Sequence, residues 1–473
     1  MIKTLIITLA AAMATLAASA VTALDAQRAV DAMAADSDLR HASLTIAVAD
    51  IDADTIVASH NLDLSCITAS TMKTVTSATA LTLLKPGYRF ATPVYLMGEI
   101  KNGKFKGNIV VKGSGDPTLG SAYCKSNPNI VAEIVQALQA RGIKKIEGQV
   151  VVDDSLVPFP DYNGWWDAGD LATDYGMGVH GLNYSDNRTH LKFTSRGGNQ
   201  IADAHFEPAV PGLGIVNKLG ADSADNLGLY LDSGNPAIVL AGSTVARGYD
   251  ELIANPTPAA MLIDSIGRAL QASNIKLKLK PEALHKVKQP ATTLLVEHQS
   301  PRLDAIITSL LSRSDNMWTE ALLRAIAVHS GRRATAGQGI AVVDSLWTAC
   351  GLDTRAKYQH DGSGLARANK NSAHFFVQML DYMAKHPVDG VYLHQLMPKA
   401  GKRIGSLLPK TSLSQDIVLK SGSMTQVQCF VGYYPAQNPR YSWAILANNW
   451  NCTRAELKNK MDTLLIAIFG PEE

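Results

Sequence analysis

The stretch "ASTMKTVTSATALTLLKPG" at residues 69–87 combines a helical pattern with a serine and a lysine three residues apart. We predict a helix, because apolar side chains recur at helical spacing and a Lys-Pro-Gly sequence would end it. Positions i and i+3 share one helix face, so Lys73 can reach the Ser70 hydroxyl. A serine needs a base to act as a nucleophile, and a lysine with a lowered pKa can supply one. The stretch therefore predicts a catalytic pair, Ser70 and Lys73.

A second Ser-x-x-Lys occurs at residues 273–276. It follows the helix-like "PAAMLIDSIGRALQAS" and continues into the strand-like "LKLK", so no helix N-terminus would stand behind Ser273. The spacing alone does not distinguish the two copies. Their positions in the predicted elements favour Ser70.

The tripeptide Ser-Asp-Asn also occurs twice, at residues 185–187 and 314–316. The second copy joins two apolar helical segments, where a hydroxyl and an amide could point from a rigid joint into a cleft. Helix capping is the alternative there. The copy at 185–187 precedes the strand-like "THLKF", which predicts a β-turn held by Asx-type bonds. Ser314 and Asn316 are therefore the candidates.

Residues 420–422 read Lys-Ser-Gly, and no other Lys-(Ser/Thr)-Gly occurs in the chain. They follow the apolar "DIVL", which predicts a strand, and we expect it at the edge of a sheet. Such a strand would offer a cation and a hydroxyl to an anionic group, with backbone open to a substrate. A strand end with a solvated lysine is the alternative.

The three motifs in this order are typical of serine β-lactamases and penicillin-binding proteins. The chain resembles the class C low-molecular-mass penicillin-binding proteins, the D-Ala-D-Ala carboxypeptidase/endopeptidase type. Other stretches that carry the resemblance are "VKGSGDPTL" at 111–119, "GQVVVDDS" at 148–155, "SDNMWTEALLR" from 314 and "DGSGLAR" at 361–367. Ser421 departs from the family pattern, in which Thr is common, but keeps the hydroxyl.

The resemblance implies an α/β fold, an α/β/α sandwich of the serine β-lactamase/transpeptidase type with an antiparallel sheet between helices. We assign residues 24–89 and 256–473 to this catalytic domain. Residues 90–255 are Gly-rich with short strand-like segments, which predicts a large, mostly β insertion. The Ser-Asp-Asn copy at 185–187 falls within this insertion, so we expect it away from the catalytic domain. A chain of 473 residues is too long for a single core, which agrees with a division into domains.

The resemblance also implies the chemistry, a serine peptidase that works through an acyl-enzyme. Ser70, deprotonated by Lys73, would attack the carbonyl of a D-Ala-D-Ala bond, and Ser314 would relay a proton. The implied substrate-binding residues are Asn316, Lys420, Ser421, Gly422, Ser423, Asp154, Arg367 and Met424.

The resemblance also implies a role for each of these groups in binding the substrate. Asn316 would hold the substrate's backbone amide. Lys420 and Ser421 would bind its terminal carboxylate, and the backbone N–H groups of Ser70 and Ser423 would form the oxyanion hole. In the family, an acid in the insertion and an arginine after Gly-Leu grip the charged end of the stem-peptide side chain. The matching residues are Asp154 and Arg367, and Met424 would line the same pocket.

Composition and charge limit the kinds of partner that we expect for this protein. The chain has 44 Lys+Arg against 42 Asp+Glu, which gives no electrostatic reason to expect nucleic acid. The implied partners are peptidoglycan stem peptides and β-lactam inhibitors, and no metal or organic cofactor is needed. Neither a His-Glu-x-x-His motif nor a Gly-x-Ser-x-Gly elbow occurs, so a zinc peptidase and an α/β-hydrolase are not indicated.

The first residues have the features of a secretory signal, which are one early cation, a short apolar run and small residues at Ala18 and Ala20, with cleavage possible after Ala20 or Ala23. We predict that residues 1–23 are removed and that the protein works in the periplasm or another extracytoplasmic space. No later segment offers the ~20 apolar residues of a transmembrane helix. The five cysteines are too widely spaced to indicate a disulfide framework or a zinc cluster.

Two other function classes share these features. A serine β-lactamase would carry all three motifs, although the long insertion favours a peptidase. A non-catalytic cell-wall-binding protein would be expected to lack at least one catalytic side chain, and none is missing here.

Overall fold

The computed structural model describes residues 22–124, 128–158, 162–232, 234–277, 282–284, 293–401, 407–409 and 411–470. The predicted secretory signal lies almost wholly outside these residues. Contacts divide the chain into two compact units. Unit 1 comprises residues 1–68, 371–386 and 397–473, and unit 2 comprises residues 69–370 and 387–396.

Helices occur in both units. They are α1 (Ala23–Ala34), α2 (Met72–Leu84), α3 (Ile130–Ala140), α4 (Pro258–Ala272), α5 (Leu303–Arg313), α6 (Asn316–His329), α7 (Ala336–Ala349), α8 (Ala373–Lys385), α9 (Leu393–Leu396) and α10 (Arg454–Phe469). In the described part of the chain, no helix is both long and apolar enough to cross a bilayer.

The strands form several sheets. They are β1 (Ser43–Asp50), β2 (Thr55–His60), β3 (Cys66–Ile67), β4 (Ala91–Lys101), β5 (Lys104–Lys112), β6 (Lys145–Glu147), β7 (Val150–Asp153), β8 (Arg188–Gly197), β9 (Gln200–Glu207), β10 (Gly214–Asn217), β11 (Gly228–Leu231), β12 (Ala237–Ala241), β13 (Gly248–Ala254), β14 (Lys276–Leu277), β15 (Glu282–Leu284), β16 (Thr293–Gln299), β17 (Lys370–Asn371), β18 (Val418–Met424), β19 (Val427–Tyr434) and β20 (Tyr441–Asn448).

Unit 1 is built on a five-stranded antiparallel sheet in the order β18-β19-β20-β1-β2. Because side chains alternate along a strand, Leu44, Ile46 and Val48 of β1 share one face, where they join one apolar core with residues of α1 and α10. Helix α8 packs on β1, β19 and β20. There the hydroxyl of Tyr433 on β19 donates to the Leu380 carbonyl at 2.7 Å. Unit 1 thus has the predicted layers, helices on both faces of an antiparallel sheet.

Unit 2 contains the mostly β region and a group of helices. A seven-stranded mixed sheet contains β4–β7 and β14–β16, and two three-stranded sheets follow the orders β13-β8-β9 and β10-β12-β11. Helices α3 and α4 share an apolar core with the larger sheet. Strand β16 pairs with β4, so strands from both sides of residue 255 share one sheet. The insertion boundaries, 90 and 255, stay a prediction.

Helix α2 is the centre of the helical group in unit 2. It contacts α5, α6 and α7, and the Trp347 indole of α7 donates to the hydroxyl of Thr79 at 2.9 Å. Residues 72–81 are all buried, polar ones included. The helix ends as predicted, since Lys85 adopts a left-handed φ of 73° before Pro86. The first residues of α2 are therefore held on a rigid base.

Candidate active site

Ser70 lies in a single 3₁₀ turn, Ala69–Thr71, immediately before α2. The spacing predicted from the sequence holds, because the Lys73 ammonium lies 2.8 Å from the Ser70 hydroxyl oxygen. Ser70 is half-buried and Lys73 is fully buried. The pair therefore has the geometry that a lysine base requires.

Lys73 donates to two further acceptors, the Asn316 side-chain oxygen at 2.5 Å and the Ser363 carbonyl at 2.6 Å. With Ser70, this provides one acceptor for each of the three N–H groups of an ammonium. The structure thus brings Ser70, Lys73 and Asn316 together, although Asn316 is 243 residues from Lys73 in the chain.

Burial lowers the pKa of Lys73 to about 8, because desolvation penalises the charged amine. The carboxylates of Asp361, Asp315 and Glu320 act in the opposite direction and limit the decrease. The result is a lysine that is partly neutral near neutral pH, as a general base must be.

The joint between α5 and α6 presents the second motif. Ser314 ends α5 in a left-handed conformation with φ 58°, and Asp315 caps α6 by accepting the Trp318 backbone N–H at 3.0 Å. Asn316 then begins α6, with its amide donating to the Tyr175 carbonyl at 2.8 Å. Helix capping therefore does not occupy the Asn316 side chain, because the middle residue of the motif, Asp315, is the cap.

Glu320 holds the loop that supplies the Ser363 carbonyl. It lies one helical turn after Asn316 on α6, is fully buried, and accepts the backbone N–H groups of Gly362 and Ser363, both at 2.8 Å. Its other oxygen pairs with Arg324 at 2.5 Å, also in a buried position. The pair with Arg324 compensates the buried charge of Glu320. The two backbone hydrogen bonds fix the Ser363 carbonyl, which faces Lys73.

Asp361 organises the same loop from the other side. Its carboxylate is fully buried and accepts the backbone N–H groups of Gly364 at 2.7 Å and Ala366 at 2.6 Å. The side chains of Asn369 and Trp166 donate to it, both at 2.8 Å. Burial raises the pKa of Asp361 to about 6, and repulsion from Glu320 adds to that rise.

Gly364 brings this loop against the backbone of the nucleophile turn. It adopts φ +80°, and a Cβ added there would lie 1.9 Å from the Ala69 carbonyl oxygen. Only glycine fits both the left-handed conformation and the close approach. The loop at residues 361–364 is therefore part of the setting of Ser70.

The third motif lies on β18 of unit 1, which ends the sheet, so the predicted edge strand is confirmed. Lys420 is buried and donates to the Ser421 carbonyl at 2.5 Å. Gly422 is opposite Cys429 of β19 in the register. Ser421 is half-buried and Ser423 is exposed.

The remaining predicted residues occupy varied environments. Asp154 is buried directly after β7, Arg367 is exposed in the loop after Gly364, and Met424 is half-buried at the end of β18. Ser273 is the C-cap of α4, so it lies at the end of a helix and has no helix N-terminus behind it, as predicted.

The first Ser-Asp-Asn copy is a turn, as predicted. Asn187 holds it by accepting the Tyr184 backbone N–H at 3.0 Å. The expectation that it lies away from the catalytic domain is wrong. Asp186 accepts the Trp318 indole N–H at 3.0 Å, because the turn packs on the start of α6.

The sequence interpretation missed the residues that support the site. Glu320, Asp361, Trp166 and the Tyr175 carbonyl were not predicted to have a role. A signal existed for Glu320, since Glu and Arg four residues apart inside an apolar helix indicate a buried pair. No local pattern marks Trp166 or Tyr175, whose partners are far away in the chain.

The D-Ala-D-Ala carboxypeptidase 3 (S13) family matches residues 26–467. The chain belongs to this family. The family predicted from the three motifs and the predicted D-Ala-D-Ala carboxypeptidase activity are thereby confirmed.

Individual S13 relatives align over most of the chain. A D-alanyl-D-alanine carboxypeptidase of Haemophilus influenzae is 26% identical over 432 residues, which are 88% of this chain and 87% of the relative. One of an Actinomadura species (strain R39) is 24% identical over 453 residues, 89% of this chain and 80% of the relative.

Among solved structures, penicillin-binding protein 4 of H. influenzae matches with a TM-score of 0.80 at 23% identity, covering 93% of this chain and 99% of that one. That protein has also been solved in complex with a β-lactam. The likeness confirms the predicted fold class.

Proposed function

We propose that this S13 family member acts on peptidoglycan stem peptides through an acyl-enzyme on Ser70. The observation that carries the proposal is the 2.8 Å contact between the Lys73 amine and the Ser70 hydroxyl, with the pKa of Lys73 lowered to about 8. At that pKa, about a tenth of the lysine is neutral at pH 7 and can accept the serine proton.

The reaction then has two halves. The neutral Lys73 amine takes the Ser70 proton while Oγ attacks the carbonyl carbon of the D-Ala-D-Ala bond. The tetrahedral adduct collapses, the C–N bond breaks, and the departing D-Ala amine takes a proton that Ser314 relays. Water next attacks the ester and restores Ser70. A β-lactam would acylate Ser70 in the same way and deacylate slowly.

Asn316 can hold the substrate without releasing Lys73. Its side-chain oxygen has two lone pairs, so it can accept a substrate N–H while it accepts from the lysine. Its amide is already oriented by the Tyr175 carbonyl at 2.8 Å. The amide therefore needs no reorientation when the substrate binds.

The family resemblance supports the other binding roles. Lys420 and Ser421 bind the terminal carboxylate of the substrate, and Gly422 lets its backbone approach. The backbone N–H groups of Ser70 and Ser423 form the oxyanion hole. Asp154, Arg367 and Met424 recognise the stem-peptide side chain. The signal predicted at residues 1–23 supports an extracytoplasmic place of work, where peptidoglycan is found.

Release of D-alanine from a pentapeptide ending in D-Ala-D-Ala tests this proposal. The variants are Ser70→Ala and Ser273→Ala, which remove the same hydroxyl from the two Ser-x-x-Lys copies. We expect no release by Ser70→Ala and wild-type release by Ser273→Ala, with both variants folded by circular dichroism. Activity that survives in Ser70→Ala would overturn the assignment.

A further inference from the structure

The segment from Asp174 to Arg188 contacts the second Ser-Asp-Asn motif at two points and Trp318, two residues beyond it, at a third. The Tyr175 carbonyl accepts from Asn316 at 2.8 Å, Arg188 pairs with Asp315 at 3.1 Å, and Asp186 accepts from Trp318 at 3.0 Å. All three contacts lie at the first turn of α6. The predicted insertion thus contacts the motif directly.

The turn that carries Asp186 is strained. Ser185, Asp186 and Asn187 have left-handed φ values of 53°, 56° and 51°. Three consecutive residues other than glycine adopt this conformation only where surrounding contacts hold them. The Asp186 carboxylate provides part of that hold, since its second oxygen accepts the Ser121 hydroxyl at 3.0 Å.

Arg188, which follows the turn, makes two contacts with its guanidinium group. One guanidinium nitrogen pairs with Asp315, and another donates to the Asp174 carbonyl at 2.8 Å. Asp174 directly precedes Tyr175, and Asp315 directly precedes Asn316. Arg188 therefore bridges the neighbours of the two residues whose hydrogen bond orients the Asn316 amide.

The orientation of that amide matters for Lys73. With its nitrogen donating to Tyr175, Asn316 turns its oxygen to Lys73 at 2.5 Å. A rotated amide would place N–H groups against the ammonium and lose this acceptor. The Arg188 side chain is 13% exposed and that of Asp315 is 2% exposed, so water competes little for their ion pair.

We propose that Arg188 is a positioning residue that keeps the Asn316 amide turned toward Lys73. It acts through Asp174 and Asp315 and touches no reacting atom. This inference rests on the proposed function, in which Lys73 and Asn316 take part in acylation.

Acylation by a fluorescent penicillin tests the inference with Arg188→Met, which keeps much of the apolar stem but removes both contacts. The measured quantities are the rate constant at saturating penicillin and the half-saturating concentration. We expect the rate constant to fall about 10- to 100-fold with little change in half-saturation, because misplacement of a catalytic group slows the chemical step. Arg188→Lys, which can retain the ion pair, should recover part of the rate.

Arg247→Met is the control, because Arg247 also pairs with an aspartate, Asp225 at 2.9 Å, and its other side-chain contact among the described residues is with the ring of Tyr249. It should acylate at the wild-type rate. Acylation of folded Arg188→Met at the wild-type rate would overturn the inference.

A double-mutant cycle separates positioning from a general loss of structure. In an Asn316→Ala background, Arg188→Met should have no further effect, because the amide through which it acts is gone. An equal fall in both backgrounds would contradict the inference. If Arg188→Met does not fold, Arg188→Gln takes its place in the same cycle. Labelling that persists in Ser70→Ala would instead overturn the proposed function, so the two failures are distinguishable.

Discussion

Glu320 accepts the backbone N–H group of Ser363 at 2.8 Å, and the carbonyl of Ser363 faces Lys73. A buried carboxylate thus sets the position of an uncharged acceptor, which in turn contacts the amine proposed as the base. Arg324 balances the charge of Glu320 at 2.5 Å.

The first prediction concerns this ion pair. Glu320→Gln would leave Arg324 buried without an anion, and breaking a buried pair on one side costs about 3–5 kcal/mol. We expect the free energy of unfolding in urea to fall by about that amount. The control is Glu207→Gln, which removes one partner of the exposed pair with Lys192 and should leave the free energy of unfolding nearly unchanged. Equal stability of Glu320→Gln and wild type would contradict the prediction.

The second prediction is the pH dependence of acylation. The base form of Lys73 is the neutral amine, so acylation should speed up as pH rises through its pKa of about 8. Penicillin labelling rates from pH 6 to pH 9 should therefore increase, with the midpoint near pH 8. A rate that is constant over this range would show that deprotonation of Lys73 does not limit acylation.

The third prediction separates close approach from backbone strain at glycine. Gly364→Ala would place a Cβ 1.9 Å from the Ala69 carbonyl and displace the turn that carries Ser70. Gly351 has a similar φ of +83° but open space around a Cβ, so Gly351→Ala is the matched control. In Gly351→Ala, only backbone strain should lower the free energy of unfolding, by about 1–2 kcal/mol.

We expect Gly364→Ala to lose penicillin labelling and Gly351→Ala to keep it. Equal labelling of the two variants would mean that the approach of the 361–364 loop to the nucleophile turn is not required for acylation.

The fourth prediction concerns Asp116, which is fully buried. One oxygen accepts both the backbone N–H and the hydroxyl of Thr118 at 2.7 Å, while the other has no hydrogen-bond partner among the described residues. Burial raises the pKa of Asp116 from 3.8 to about 6. The folded state therefore binds the proton more tightly than the unfolded state, and this group lowers stability as pH rises from about 4 to 6.

Asp116→Asn removes that dependence, because an amide does not ionise. Relative to wild type, its free energy of unfolding should increase by up to about 3 kcal/mol between pH 4 and pH 8. A pH-independent difference between Asp116→Asn and wild type would refute the pKa shift.

Local sequence patterns were sufficient to predict the helices and the strand that carry the motifs. The spacing in α2, the stop at Lys85, the joint around Asp315 and the edge strand β18 all follow from helix periodicity, capping and strand chemistry. Each depends on residues that are close together in the chain. The structure agrees with the sequence at these points.

Local sequence patterns were insufficient to predict the groups that orient the catalytic side chains. Glu320 binds a loop 42 residues away and Asn316 binds Tyr175, 141 residues away. Such contacts depend on tertiary packing, which no periodicity encodes. For the same reason the turn at 185–187 was correctly predicted as a turn but wrongly placed apart from the second motif.

The most direct test of Ser70 as the acylated residue is mass spectrometry of the protein after reaction with penicillin, protease digestion and sequencing of the modified peptide. We predict a single penicilloyl adduct on the hydroxyl of Ser70 and none on the peptide that contains Ser273. An adduct on Ser273, or on any residue other than Ser70, would contradict the proposed mechanism.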